Sequence, residues 1–237
     1  MRTEADEAAL VEAGELEVIG LLPRASNSTF LAHVQGPDGA IPVVYKPRAG
    51  ETPLWDFPDG TLCNREVAAS VLAEALGWPN VPTTVLRDGP YGVGSVQRFV
   101  EAAPGEHYLT LRERRLDEFA SVAAFDVLAG NGDRKSGHCL LGRDGRIWMV
   151  DHGLCFNARP ALRTVIWDFA GGPVTPSLLE DVERIAGELR RGPLRIRLLQ
   201  LLSQDEVDAT ADRADALRAA GTFPLPGPGR SVPWPAV

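Results

Sequence analysis

Apolar residues are spaced in two ways along the chain. Up to about residue 100 they come in short β-prone runs: Leu16–Ile19, Thr29–Val34 and Ile41–Lys46, with Gly36-Pro37-Asp38-Gly39 turning the second into the third. Short turns between consecutive strands predict an antiparallel sheet. Residues 1–13 read as a frayed or helical lead-in. A Gly- and Pro-rich connection, 48–63, leads to a predicted helix over Asn64–Leu76, where Val67, Val71, Leu72, Ala75 and Leu76 share one face. Asn64 suits its N-cap and Gly77 its stop. Thr83–Leu86 and Val93–Val100 are two further strands.

Beyond residue 100 the spacing turns helical. Leu116, Phe119, Ala120, Ala123, Val127 and Leu128 mark a buried helix closed by Gly130. His138–Leu141 and Ile147–Val150 then flank Asp144-Gly145, a dipeptide favoured in two-residue hairpin turns where both central residues take φ > 0. Three helices follow. One starts at Thr175-Pro176, one runs Pro193–Leu202, and one opens with the capping box Ser203-Gln204-Asp205-Glu206 and stops at Gly221. Phe223–Val237 holds five prolines and reads as an extended tail. The pattern predicts an α+β protein: a β-rich lobe over 1–100, an α-rich lobe over 101–222 and the tail.

The hairpin organises the candidate chemistry. Its strands are antiparallel, so Asp133 before the first and Asp151 after the second are expected to meet, although eighteen positions separate them. Two carboxylates held together on loop backbone call for a cation. Lys46 ends the third strand, where its ammonium suits phosphate oxygens. Glu66 lies in the first turn of the next helix. It is either a carboxylate favoured by the helix N-terminus or the ion-pair partner of Lys46.

This order of a strand lysine, a helix glutamate, an aspartate loop and a second aspartate resembles the protein-kinase-like superfamily and its bilobal fold. Within it, the strings Gly132-Asp133-Arg134 and Val150-Asp151-His152-Gly153 look most like the phosphoinositide 3-/4-kinase-related branch, in a small bacterial subgroup. The spacing of Asp133, Lys135 and position 138 also matches the kinase catalytic loop. The resemblance implies ATP and Mg²⁺ or Mn²⁺ as cofactors. It implies Asp133 to orient the attacking hydroxyl, Lys135 to contact the transferring phosphoryl group and Asp151 to hold the metal. There are two departures. His138 stands where the superfamily places a metal-binding Asn; it either ligates the metal, which would favour manganese, or only donates a hydrogen bond. No glycine-rich loop separates the first two strands, and Ser26, Asn27 and Ser28 there are either a phosphate cradle or a plain polar turn.

Composition narrows the partners. With 237 residues, 44% hydrophobic and 24% charged, the chain has the make-up of a globular protein. A net charge of -8 argues against nucleic acid or an anionic membrane as a partner. The segment after Gly153 offers only Arg159 and Arg163 to an anionic head group, so a protein or small-molecule hydroxyl is the expected acceptor. Three cysteines outside any CxxC spacing suggest reduced thiols and a cytoplasmic setting. Competing readings are a nucleotide-binding module without catalysis, an adenylyl transferase on the same fold, and a metal hydrolase using Asp133, Asp151 and His138 without ATP.

Overall fold

A computed structural model describes residues 3–23, 27–159 and 162–237. The lead-in is a helix, α1 (Glu4–Ala13), whose Thr3 capping box exchanges hydrogen bonds with Asp6. Five strands follow in one antiparallel sheet: β1 (Glu15–Leu21), β2 (Phe30–Gln35), β3 (Ile41–Pro47), β4 (Thr84–Gly89) and β5 (Gly92–Arg98), ordered β1-β2-β3-β5-β4. Alternation along β3 decides what each face does. Ile41, Val43 and Tyr45 are buried with Ala32, Val34, Val96 and Val11 of α1. Lys46 therefore leaves on the opposite face, in register with Ser95 of β5.

Helix α2 (Leu62–Leu76) begins two residues before the expected Asn64 cap. The carboxylate of Glu51, from the preceding loop, accepts the amides of Leu62 (3.0 Å) and Cys63 (2.7 Å), so two of the four orphan donors of the first turn are already met. Asn64 lies inside the helix and donates to the Leu201 carbonyl (3.1 Å). Gly77 closes the helix with φ 83° as expected. Although α2 lies between β3 and β4 in sequence, its Ala68, Ala69, Leu72 and Leu76 belong to the large hydrophobic core of the second half.

Residues 99–103 cross from the sheet to that second half, with Phe99 N–H bonded to Pro42 O (3.1 Å) and Ala103 N–H to Leu141 O (2.7 Å). Helix α3 (Tyr108–Arg115) has no counterpart in the hydrophobic pattern, because it buries just Tyr108 and Leu111. Helix α4 (Phe119–Ala129) is the expected buried helix and ends at Gly130 with φ 57°. Strands β6 (Cys139–Leu141) and β7 (Ile147–Met149) form the expected hairpin, joined as expected through 142–146. Gly145 alone in that loop takes positive φ; Asp144 instead accepts the Arg146 amide (3.0 Å) and the Trp148 indole. Helices α5 (Pro176–Arg191), α6 (Pro193–Leu199) and α7 (Gln204–Ala220) complete the core with α4, and Ser203–Glu206 is the capping box.

The tail is tied down rather than free: Phe223 packs against Phe169, and the backbone beyond it returns to residues 164 and 136. Among the described residues no helix is long and apolar enough to cross a membrane.

Candidate active site

Glu66 sits one turn into α2, with its side chain 3% exposed. Burial raises its pKa, and the Lys46 charge opposes that rise. Its two oxygens do different work: Oε1 pairs with the Lys46 ammonium, and Oε2 accepts the His152 amide (2.9 Å). One carboxylate thus fastens β3 to the backbone just after β7. The Lys46 ammonium also reaches Asp151 Oδ1 at 2.9 Å. Burial disfavours its charge, but Asp151 and Glu66 together outweigh burial and hold its pKa above the usual lysine value. The same ammonium keeps Asp151 far below the ordinary carboxylate range. Asp151 has φ 62°, a left-handed conformation uncommon outside glycine, and its side chain is 51% exposed.

The loop after α4 is built on a buried polar cluster. Asp126 faces inward from an otherwise apolar helix and receives the Arg134 guanidinium at 2.9–3.2 Å. Both side chains are fully buried. Asp126 also accepts from Asn131 Nδ2 (2.9 Å), and Asn131 Oδ1 in turn accepts the Asp133 amide (2.9 Å). Arg134 goes on to donate to the Val150 carbonyl (3.2 Å) and to His152 Nε2 (2.9 Å). The backbones on either side of the hairpin are therefore clamped to one guanidinium. Because His152 Nε2 accepts, its proton lies on Nδ1, which finds no partner among the described residues.

Asp133 projects from this clamp and pairs with Lys135 Nζ (3.1 Å). Burial raises its pKa, Lys135 opposes the rise, and the nearby Asp151 charge adds to it. His138 Nε2 lies 3.2 Å from Asp151 Oδ2. Burial lowers its pKa to about 4, so the ring is neutral near pH 7. A long contact from the Lys135 amide to Nδ1 (3.4 Å) leaves the ring proton on Nε2, where it donates to Asp151.

The structure thus gathers Lys46, Glu66, Asp133, Lys135, His138 and Asp151 into one connected cluster. It treats the expected phosphate turn differently. Ser26 lies outside the described residues. The Ser28 amide is bonded to Gly50 O (3.1 Å) and the Asn27 side-chain oxygen to the Thr52 amide (2.8 Å), so both groups hold the turn against the segment after β3. Sequence reasoning missed Asp126, Asn131 and His152 and assigned Arg134 no role. The available signal was a lone acid in the apolar run Phe119–Ala129, since a carboxylate there must find a buried cation.

Among the described residues no group of three or more His, Cys, Asp or Glu side chains could enclose a metal. A magnesium-like ion carried in on phosphates needs only one or two protein carboxylates, and the half-exposed Asp151 fits that requirement. The three cysteines are free and buried, and burial pushes all three thiols up, Cys63 to about 11 and Cys139 to about 12, which disfavours their thiolates.

The chain superposes on the Golgi casein kinase with a TM-score of 0.53 at 13% identity, covering 94% of this chain and 80% of that one, and its fold is protein-kinase-like. Over 89% of this chain and 93% of the other, the Helicobacter pylori proinflammatory kinase CtkA aligns at TM-score 0.48 and 15% identity. At 39% identity over an alignment of 266 positions, spanning 98% of this chain and 95% of the relative, the chain belongs to the family of protein Rv2133c of Mycobacterium tuberculosis. Phosphatidylinositol 4-kinase gamma 3 of Arabidopsis thaliana is 26% identical over 104 residues, 40% of this chain and 18% of that protein. No protein-family model matches the chain.

Proposed function

We propose that the chain is an ATP- and divalent-metal-dependent phosphotransferase whose acceptor is a protein or small-molecule hydroxyl. The observation that carries this reading is the Lys46 ammonium held between Glu66 and Asp151 (2.9 Å to the latter), on a kinase-like fold. A lysine pre-placed by a buried carboxylate is ready for phosphate oxygens without rearranging at each turnover. A metal hydrolase would give Lys46 and Glu66 no task.

In this reading Asp133 takes the proton of the attacking hydroxyl, and its raised pKa makes it a better acceptor than an ordinary carboxylate. The bond between the acceptor oxygen and the γ-phosphorus forms as the bond from that phosphorus to the β–γ bridging oxygen breaks, and ADP leaves. Lys135, salt-bridged to Asp133, would neutralise the equatorial oxygens. Asp151 would hold Mg²⁺ or Mn²⁺, and the ion would neutralise charge on the nucleotide phosphates. Of the two roles open to His138, this reading favours orienting Asp151 by donating to Oδ2 over ligating the metal.

For lineage we favour the phosphoinositide 3-/4-kinase-related branch. Support comes from the two aspartate strings and from the partial match to the Arabidopsis enzyme. A lipid acceptor is not favoured, given the acidic chain and the scarcity of basic residues after Gly153. Incubation with γ- or α-labelled ATP in Mg²⁺ or Mn²⁺ tests the proposal. Label moving from the γ position, and at least ~10³-fold less of it with Asp133→Asn, is expected. Transfer from the α position would mean adenylyl transfer instead, and nucleotide binding without any transfer would mean a non-catalytic module.

A further inference from the structure

Gln97 stands on the cleft face of the sheet with its amide held in one orientation. On β5, Val96 turns into the core shared with α1, so Ser95 and Gln97 turn to the opposite face, the one from which Lys46 leaves β3. Gln97 is paired with Val44 of β3 on one side and with Thr84 of β4 on the other, and it is 6% exposed.

A short network fixes the amide. The Ser70 hydroxyl of α2 accepts the Thr84 amide (3.2 Å), the Thr84 hydroxyl donates to the Pro82 carbonyl (2.8 Å), and Gln97 Nε2 donates to Thr84 Oγ1 (2.8 Å). Thr84 has a single hydroxyl proton, and Pro82 takes it, so Oγ1 can only accept from Gln97. Turning the amide over would set its oxygen against an oxygen with no proton to give. Nε2 is therefore committed to β4, and Oε1 is turned away from it, to the side of Val44 and Lys46. Among the described residues Oε1 accepts no hydrogen bond, yet it is not sealed from solvent, because His152 Nδ1 is the one fully buried side-chain nitrogen or oxygen left without a partner.

Ser95 lies opposite Lys46, and Gln97 is two residues, about 7 Å, further along β5 toward the crossing at 99–103. A nucleotide lying along the strands with its phosphates at Lys46 brings its base to that end of the cleft. We propose that Gln97 Oε1 selects the base by accepting a hydrogen bond from an exocyclic 6-amino group, so that the site takes adenine and rejects a 6-oxopurine, whose oxygen would face another acceptor. Thr84 is the positioning residue: it acts through Gln97 by denying the amide its other orientation. This inference rests on the reading of Lys46 and Asp151 as the phosphate and metal site.

Calorimetric binding of ATP and of its 6-oxo counterpart ITP, both in Mn²⁺, tests it. The parent chain is expected to bind ATP at least ~10-fold more tightly than ITP, since the wrong base leaves a buried acceptor unpaired. Gln97→Met is expected to bring the two affinities within about 2-fold, through weaker ATP binding. Thr84→Val frees the amide to turn Nε2 to the base, and ITP is expected to gain at least ~10-fold relative to ATP although Gln97 is untouched; a packing role for Gln97 gives no such gain. Purine riboside triphosphate, which has no 6-substituent, keeps the test open should either variant fail to fold. It is expected to bind the parent chain at least ~10-fold more weakly than ATP, and equal affinity overturns the proposal. An ATP preference unchanged in both variants overturns it too, while leaving the phosphotransferase reading in place. No binding of any of these nucleotides to the parent chain removes both.

Discussion

At the scale of single residues, every fully buried side-chain nitrogen or oxygen among the described residues has a partner except His152 Nδ1. The Asp126–Arg134 pair is fully buried and holds both sides of the hairpin. Replacing Asp126 with Asn leaves a buried guanidinium without its counter-charge, which typically costs about 3–5 kcal/mol. Urea unfolding of Asp126→Asn is expected to show a loss of that order, and a loss below about 1 kcal/mol would mean that water reaches Arg134. His138 sets a pH dependence. Its folded-state pKa is lowered to about 4 by burial, so between that value and about 6.5 the unfolded chain binds the extra proton. The histidine's contribution is therefore complete above about pH 6.5 and is lost as pH falls toward 4. Glu66 and Asp133, both raised by burial, act in the opposite direction, so the comparison must be differential. His138→Asn is expected to lose less stability than the parent chain between pH 7 and pH 5; parallel curves would remove His138 as the titrating group.

At the scale of elements, the strand lysine, the helix glutamate and the hairpin were legible because each depends on local pattern. Alternation fixed which way Lys46 leaves β3, and helical spacing fixed the face of α2. Three features were not legible, each for a non-local reason. The start of α2 is set by Glu51, eleven residues before the helix, so the best local cap, Asn64, went elsewhere. Helix α3 has too narrow an apolar face to stand out among its arginines. In the hairpin turn only Gly145 takes the left-handed φ expected of both Asp144 and Gly145, and Asp144 bonds to Arg146 and Trp148 instead. Glu51→Ala tests the first of these. Loss of the cap is expected to lower stability by about 0.5–2 kcal/mol in chemical denaturation. An unchanged midpoint would mean that solvent can serve the first turn of α2 equally well.

At the scale of the molecule, α2, which lies between β3 and β4 in sequence, is fastened by its ion pairs to the helical half as well as to the sheet. Arg65 is buried against Glu206 of α7 and donates to the Cys155 carbonyl (2.8 Å), and Arg197 of α6 pairs with Glu74 (2.6 Å). Glu66 is positioned by the large core, and the Lys46 pair and the Ser70 hydroxyl, which accepts the Thr84 amide (3.2 Å), tie the sheet to α2. Hydrogen exchange should show this: amides of α2 are expected to be protected at the level of α4 and α7, above those of β1 and β2. Protection of α2 at the level of the sheet would contradict it.

The central claim is that Lys46 and Asp151 receive nucleotide phosphates and their cation. Calorimetric titration of ATP, with and without Mn²⁺, tests it most directly. The account predicts cation-dependent binding, weakened at least ~10-fold (about 1.4 kcal/mol) by Lys46→Met, and loss of the cation dependence in Asp151→Asn. Affinity that ignores the cation and both substitutions would contradict it.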